Sequence, residues 1–280
     1  MTTDQAAKGR AFEVLHARPG CFVIPNPWDA GSARILASLG FEALTTTSAG
    51  LAFTLGKRDG AGEVTLAETL ANARAIVDAT DLPVAGDLEN GFGDTPEAVA
   101  QTIRLAGEVA GLVGGSIEDT TGVAAKPIYD FEHSVERMAA AADAARALPC
   151  PFVLVGRAEN FLHGRRDLDD TIRRLQAYER AGADVLYAPG LTEAEQIRVV
   201  CSSVSKPVNV VMGLNRARFS VGELERLGVR RISLGSALSR SALGGLVRAA
   251  REIREQGTFT FAEDAIPYAQ ANEFFGGKDR

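Results

Sequence analysis

Three short segments hold side chains that a metal-dependent reaction would need: Asp87-Leu88-Glu89-Asn90-Gly91-Phe92-Gly93, Ser116-Ile117-Glu118-Asp119 and Gly56-Lys57-Arg58-Asp59-Gly60. The first two each follow a short apolar run that reads as a buried strand. Carboxylates delivered together to strand ends are hard oxygen donors of the kind Mg²⁺ or Mn²⁺ prefers. Asp87 and Glu89 stand two residues apart, so on an extended chain they would share a face. Asp87, Glu89, Glu118 and Glu159 gathered at one small mouth would repel each other unless protons or a cation intervened. A divalent metal is the economical answer. The plainer alternative has Asp87 opening a turn toward Gly91 and Gly93, with the other acids facing solvent; it suits one isolated acid better than the whole set.

Arg157 ends the apolar run Phe152-Val153-Leu154-Val155-Gly156. A cation there must be paired or meet an anionic ligand, and its planar fork can hold a carboxylate or phosphonate through two hydrogen bonds. A structural ion pair with Glu159 or Glu118 is the alternative, and it does not exclude ligand binding. Ser48-Ala49-Gly50 offers small residues whose backbone amides can approach an anion closely. Asp59 lies in the glycine-punctuated stretch 56–62. An acid on a closing loop can act as base or nucleophile, although taken alone Asp59 reads more simply as a solvated loop residue. Ser233-Leu234-Gly235-Ser236-Ala237 reads either as a phosphate-binding turn or as a tight strand–helix turn. His16, His133 and His163 show no metal-ligand spacing and receive no role, and no Ser–His–Asp or Cys–His arrangement emerges.

These residues need elements that position them. Strands are expected over 21–25, 43–47, 83–86, 112–117, 152–155, 184–187, 208–211 and 231–234. Most of these runs are continuously apolar, as parallel strands covered on both faces should be. Helix starts stand between them: Thr65 with Glu68, Thr192 with Glu195 and Ser220 with Glu223 have capping-box spacing, and Thr95-Pro96 offers a cap followed by proline. Eight strand–helix units in series predict a (β/α)8 barrel, an α/β TIM barrel. A doubly wound open sheet is the runner-up, but no Gly-x-Gly-x-x-Gly turn follows the first strand. An extra N-terminal helix is expected over 4–17. The whole of 1–280 reads as one barrel domain, with 258–280 as a helical tail. Phe259, Phe261, Ile266, Tyr268, Phe274 and Phe275 make that tail too apolar to hang free, so it should pack on its own or a neighbouring subunit. In such a barrel the C-terminal strand ends carry the site, which selects Asn26, Ser48, Asp87, Glu89, Glu118, Arg157, Glu159 and Asn209.

The 280 residues are 46% hydrophobic, enough for a barrel of ordinary size. A net charge of -6 argues against a nucleic-acid partner. It says little against an anionic substrate, because a bound metal and one arginine can reverse the local sign. The first residues lack the charged-then-apolar layout of a signal peptide, and no apolar run approaches the ~20 residues of a membrane span. Cys21, Cys150 and Cys201 are scattered and odd in number, which predicts buried, reduced thiols and a cytoplasmic location.

Taken in order, Pro25-Asn26-Pro27-Trp28-Asp29-Ala30, Ser48-Ala49-Gly50 running to Leu55-Gly56-Lys57-Arg58-Asp59, Asp87 to Gly93, Gly115-Ser116-Ile117-Glu118-Asp119, Gly156-Arg157-Ala158-Glu159 and Pro207-Val208-Asn209 form a specific pattern. With them the chain resembles the isocitrate lyase/phosphoenolpyruvate mutase superfamily, from about Phe22 to the last helix. The resemblance implies a barrel that binds Mg²⁺, with Mn²⁺ as the alternative, and a small α-keto or 2-hydroxy carboxylate. It implies an enolate formed as a C–C or P–C bond is broken or made. Carried over by position, Ser48, Ala49 and Gly50 bind the substrate carboxylate; Asp87, Glu89 and Glu118 hold the metal, partly through water. Arg157 neutralises the reacting group, Asp59 sits on a gating loop, and Glu159 and Asn209 complete the substrate site. The resemblance also implies a homo-oligomer, dimer or tetramer, with the C-terminal helix available for exchange between subunits.

The chain departs from the pattern in two places. The superfamily's Asp-x-Asp pair here ends in Glu89. Where lyases carry a Lys-Lys-Cys-Gly-His loop, Thr120 to Asp130 contains neither cysteine nor histidine, and Pro189-Gly190 replaces a carboxylate of some lyases. Tyr129, Lys126 and Asp59 are the candidate stand-ins. The expected activity is Mg²⁺-dependent C–C cleavage. A phosphonopyruvate hydrolase or phosphonomutase, with Asp59 as nucleophile or base, is the alternative, and a non-catalytic oxo-acid-binding barrel is the third reading.

Overall fold

Short apolar runs and longer Ala-, Leu- and Arg-rich stretches alternate along the chain, and each becomes a strand or a helix in turn. The computed structural model describes residues 3–214 and 218–276. Its elements begin α1 (Thr3–Ala17), β1 (Phe22–Ile24), α2 (Ala30–Ser38), β2 (Leu44–Thr45), α3 (Ser48–Thr54), α4 (Leu66–Asp78), β3 (Val84–Asp87), α5 (Pro96–Glu108) and β4 (Gly114–Glu118). They continue α6 (Phe131–Ala147), β5 (Val153–Arg157), α7 (Leu168–Ala181), β6 (Val185–Tyr187), α8 (Ala194–Ser203), β7 (Val208–Val211), α9 (Val221–Arg226) and β8 (Arg231–Ser233). The chain closes with α10 (Ala237–Gln256), a 3-10 turn (Thr260–Asp264) and α11 (Tyr268–Phe275).

All strand pairs are parallel, in the order β1-β8-β7-β6-β5-β4-β3-β2. The seam between β1 and β2 is drawn together by the Thr45 N–H donating to the Pro25 carbonyl at 3.1 Å. Asn26 stitches the top of that seam. Its amide donates to the Thr46 carbonyl at 2.8 Å, and its oxygen accepts from the Leu234 and Gly235 N–H groups at 2.8 and 2.9 Å. The result is the expected (β/α)8 barrel. The Ser233–Ala237 segment forms a tight strand–helix turn, with Gly235 at φ 52°. Two of the amides that a phosphate would need are already committed to Asn26.

All eight strands fall where expected, displaced by at most two residues. Thr65 and Ser220 make complete capping boxes, and Thr95 caps α5 with Pro96 in its first turn. Thr192 does not cap α8: that helix begins one residue later, with Glu193 at the cap and no side-chain bond, so the Thr192 hydroxyl falls outside the cap position.

The barrel has an outer and an inner apolar layer. Outside, residues such as Ile103, Leu112, Ile117, Leu154 and Leu175 pack helices onto the strands. Inside, Phe22, Ile24, Val113, Val153, Val155, Val185 and Val211 fill the bore together with Phe12 and Leu15 of α1. Helix α1 therefore stoppers the N-terminal end. It is fixed there by Gln5, whose amide donates to the Gly107 and Leu112 carbonyls at 2.8 and 3.2 Å, and by Lys8, which donates to Thr80 at 3.0 Å. Gly114 makes room for the stopper, since a Cβ there would lie 2.8 Å from the Phe12 ring.

Within the chain, α11 lies against α2, and Arg34 donates to the Phe275 carbonyl at 3.5 Å. The tail is only partly covered. Phe259, Ile266 and Tyr268 stay exposed, as do Leu246 and Val247 of α10. Residues 277–280 of the expected tail lie outside the described residues. Cys150 is buried as expected, whereas Cys21 and Cys201 are half-buried, and all three are free thiols. Among the described residues no helix is long and apolar enough to cross a membrane. Because Phe12 is fully buried in the stopper, Phe12→Ala should cost about 3–5 kcal/mol in urea unfolding; a loss below about 1 kcal/mol would show that α1 does not hold the bore closed.

Candidate active site

With the bottom stopped, polar side chains gather at the C-terminal mouth. Asp87 is the last residue of β3. Its N–H donates to Thr46 Oγ1 at 2.9 Å. Its Oδ2 accepts from the Ser48 N–H and hydroxyl at 3.1 and 2.8 Å, which ties β3 to the start of α3. Its Oδ1 lies 3.5 Å from the Ser116 hydroxyl and 3.4 Å from an Arg157 terminal nitrogen.

Arg157 ends β5, with Glu118 of β4 and Tyr187 of β6 as its register neighbours. The nitrogen that faces Asp87 also lies 3.1 Å from Glu118. Arg157 Nε pairs with Glu159, and the guanidinium stands 5.1 Å from the centre of the Tyr187 ring. Glu118 is held from its other side by the Thr120 hydroxyl at 2.7 Å. Glu159 is placed through its backbone, which donates to Asp119 Oδ1 at 2.8 Å. Asp119 in turn accepts from Arg174 at 3.0 Å and from the Tyr178 hydroxyl at 2.7 Å, a buried network beneath the site.

Glu89 does not share a strand face with Asp87. Strand β3 stops at Asp87, and Glu89 turns into the left-handed region at φ 48°, followed by Gly91 at 84° and Phe92 at 56°. The alternation argument therefore fails at this point, because the chain is no longer extended. Left-handed non-glycine residues cost of order 1–3 kcal/mol each. They are held here by the Glu118 N–H, which donates to the Glu89 carbonyl at 2.9 Å, and by buried Arg137, which donates to the carbonyls of Asn90, Gly93 and Asp94.

A cavity of about 160 Å³ opens at this mouth, with Ser48, Ala49, Asp59, Asp87, Arg157 and Asn209 among its walls. Gly50, Glu89, Glu118 and Glu159 are not in its lining. The Gly50 N–H is used by the helix cap, donating to Thr47 Oγ1 at 3.2 Å, and a Cβ at Gly50 would stand 2.9 Å from Trp28 Cβ. Of the candidate stand-ins for the lyase cysteine, only Asp59 lines the cavity. The Tyr129 hydroxyl donates to Asp94 at 2.5 Å and Lys126 pairs with Asp130. A larger hollow of about 840 Å³ lies at the opposite end, beside Glu13, His16, Lys206 and Arg230. Size alone would choose that hollow, but the strand-end polar groups converge on the smaller one.

The phosphoenolpyruvate phosphomutase family matches residues 12–254 of the chain. The chain belongs to the isocitrate lyase/phosphoenolpyruvate mutase superfamily. A Burkholderia cenocepacia J2315 crystal structure, placed in a lyase/mutase class without further assignment, is 58% identical, covers 99% of both chains and superposes with a TM-score of 0.96. An oxaloacetate decarboxylase from Pseudomonas fluorescens is 29% identical over 276 residues, 95% of this chain and 92% of that one. The structure of an oxaloacetate acetylhydrolase bound to its product oxalate is 26% identical, with a TM-score of 0.87 over 99% of this chain and 95% of that one.

In this superfamily member the electrostatics of the mouth are unbalanced. Burial, and then the charges of Asp87, Glu118 and Asp59, push the Glu89 carboxyl up to about 8. Burial also raises Glu118 and Glu159, with Arg157 pulling the other way. Asp59 is exposed as a residue, yet its carboxyl is raised by partial enclosure and by the Asp87 charge. Burial opposes the Arg157 charge, but Glu118 and Glu159 outweigh it and keep the guanidinium protonated.

Among the described residues, no three His, Cys, Asp or Glu side chains stand close enough to enclose a metal ion by themselves. Asp87, Glu89 and Glu118 do not close a cage of their own in the free protein, and water would have to complete a coordination shell. One Arg157 nitrogen lies between Asp87 and Glu118, and Glu89 has turned away from the strand. The donor chemistry still fits a hard cation: the mouth gathers Asp59, Asp87, Glu89, Glu118 and Glu159 around one guanidinium, and no cation pairs with Glu89 among the described residues.

The sequence singles out neither Arg137 nor Arg231, and it names Asp119 without giving it a role. Arg231 carried the same signal as Arg157, a charge within an apolar strand.

Glu89 gives a pH test. In metal-free protein the folded state holds the Glu89 proton more tightly than the unfolded chain does, so stability falls as pH rises from the ordinary 4.5 toward about 8. Glu89→Gln removes that fall. The melting-temperature advantage of Glu89→Gln over wild type should therefore grow across this window, and a pH-independent difference would contradict the raised carboxyl.

Proposed function

We propose that this chain is a Mg²⁺- or Mn²⁺-dependent lyase that cleaves a C–C bond of a small 2-hydroxy or 2-oxo di- or tricarboxylate through an enolate. The observation that carries this reading is the Arg157 guanidinium at a small polar cavity, ringed by more carboxylates than it can neutralise. Ser48 and Ala49, at the start of α3, take the substrate carboxylate, with Gly50 shaping the turn behind them. Arg157, braced by Glu159, faces the reacting oxygen with a planar pair of donors. Asn209 contacts the substrate from below. Asp87, Glu89 and Glu118 would hold the ion, partly through water. When bound, the ion supplies a Lewis acid for the enolate oxygen.

For a 2-hydroxy acid the electron count is that of a retro-aldol cleavage. The hydroxyl proton leaves, its O–H electrons become the new carbonyl, and the C–C pair moves into the enolate of the departing acid, which then takes a proton on carbon. Asp59 is the acid at the cavity edge placed to move these protons. Gly56, Gly60 and Gly62, at φ 68°, 68° and 66° with open space around each, give its loop the backbone freedom to close over substrate.

The second reading, P–C hydrolysis or phosphonomutase chemistry, is favoured by the same residue. Asp59 lines the cavity, while the 120–130 loop supplies no cysteine or histidine. An oxo-acid-binding barrel without turnover is the third. We read the chain as a single barrel domain with its tail over 258–280, working in the cytoplasm as a homodimer or homotetramer. The uncovered apolar residues of α10 and the tail support self-association.

The test is an assay with Mg²⁺ over oxaloacetate, substituted malates, methylisocitrate and phosphonopyruvate, following keto-acid and phosphate products. Keto acid without phosphate is expected; phosphate from phosphonopyruvate would select P–C chemistry, and binding without any product would select the third reading. Asp87→Ala should lower turnover by about 10²-fold or more, and full activity in that variant would end the proposal. Arg157→Lys, which keeps the charge and loses the fork, should lose activity in the same assay.

A further inference from the structure

A second guanidinium reaches the same cavity, and unlike Arg157 it meets no carboxylate. Arg231 is the first residue of β8 and is 4% exposed. Below it stands α1, with the Phe12 ring centre 5.8 Å from its Cζ and His16 Nε2 3.5 Å from a terminal nitrogen. Among the described residues no Asp or Glu oxygen lies within 4.0 Å of it, and its buried Nε has no hydrogen-bond partner. His16 is not a counter-ion. Its Nδ1 bonds the Phe12 carbonyl at 2.8 Å, which leaves Nε2 as an acceptor, and burial followed by the Arg231 charge lowers its pKa to about 3.

A buried cation without a partner is unfavourable, and an arginine does not escape by losing its proton: burial lowers Arg231 only to about 10. One strand away, the register partner Asn209 presents a buried Oδ1 that also lacks a partner. Both residues line the cavity that holds Ser48 and Arg157. The cavity thus has a donor and an acceptor left over that no side chain of the described residues satisfies.

We propose that Arg231 is a second anion-binding residue of this site, which takes a distal carboxylate of the substrate while the first carboxylate sits at Ser48 and Ala49. This rests on the di- or tricarboxylate reading above and assigns a residue to it: Arg231 is what makes the site distinguish such an acid from a monocarboxylate. Asn209 Oδ1 then accepts from a substrate hydroxyl or from a water held beside it.

Calorimetric titration of malate and lactate, which differ by one carboxylate, tests this in the presence of Mg²⁺. Wild-type protein should bind malate more tightly than lactate. Arg231→Met, which keeps much of the volume and removes the charge, should weaken malate about 10- to 100-fold, the loss expected for a charge-assisted hydrogen bond, and leave lactate within about twofold. Arg231→Lys should fall between the two for malate. It carries the test by itself if the methionine variant fails to fold, as judged by circular dichroism. Equal losses for both acids, or no loss for either, would overturn the role of Arg231 and leave the oxo-acid reading standing; so would a wild type that does not distinguish malate from lactate. A wild type that binds neither acid, nor pyruvate, would overturn both.

Discussion

The Arg157 guanidinium, closed in by Asp87, Glu118 and Glu159 at the ends of neighbouring strands, is the interaction on which the mouth of this barrel depends. Removing water from an arginine is unfavourable by several kcal/mol, and the surrounding carboxylates offset that cost. Two of those carboxylates are placed by register: Glu118 is the cross-strand partner of Arg157, and Asp87 is the partner of Ser116 on the same strand as Glu118. The parallel sheet therefore fixes the charge pattern before any side chain chooses a rotamer. Each acid is also held from behind, Asp87 by Ser48, Glu118 by Thr120 and Glu159 through Asp119. Such bracing is what lets a site present charge without reorganising during a reaction.

The rest of the fold keeps that arrangement dry from below and open above. Phe12 and Leu15 close the bore, so the cavity communicates with solvent at the strand C-terminal ends. Asn26 holds the weakest seam, between β1 and β2, by bonding to β2 on one side and to the turn after β8 on the other. Arg137 clamps the left-handed turn after β3. These are structural contacts, yet the Asn26 bond to Thr46 ends two residues from Ser48, and the Arg137 bond to Asn90 ends one residue from Glu89. The excess of negative charge at the mouth is the cost of this design in the free protein, and the raised Glu89 carboxyl is its signature.

The barrel was legible because its signals are local. Continuous apolar runs, the Thr65–Glu68 and Ser220–Glu223 boxes and Thr95-Pro96 each act over a few residues, and each appears where the sequence places it. The site was legible largely as a set of strand ends, which is why Asn26, Ser48, Asp87, Arg157 and Asn209 come together on one cavity, with Asp59 joining them from its loop. What failed depends on geometry across space or on backbone conformation. Glu89 was placed by strand alternation, but the strand ends before it, and a left-handed glutamate leaves no trace in residue type. Nor does spacing say that one Arg157 nitrogen will stand between Asp87 and Glu118. His16 drew no attention among the histidines. It sits on α1 far from the strand ends, and its link to Arg231 spans 215 residues of sequence.

The account stands on the claim that the surplus carboxylate at Arg157 belongs to a divalent ion and an oxo-acid. The most direct measurement is anomalous diffraction at the manganese edge from crystals grown with Mn²⁺ and oxalate. A peak within coordination distance of an Asp87 oxygen, with oxalate between it and Arg157, is the result the account predicts. Saturating Mn²⁺ with no peak at this mouth, or oxalate bound only in the hollow at the opposite end, would contradict it.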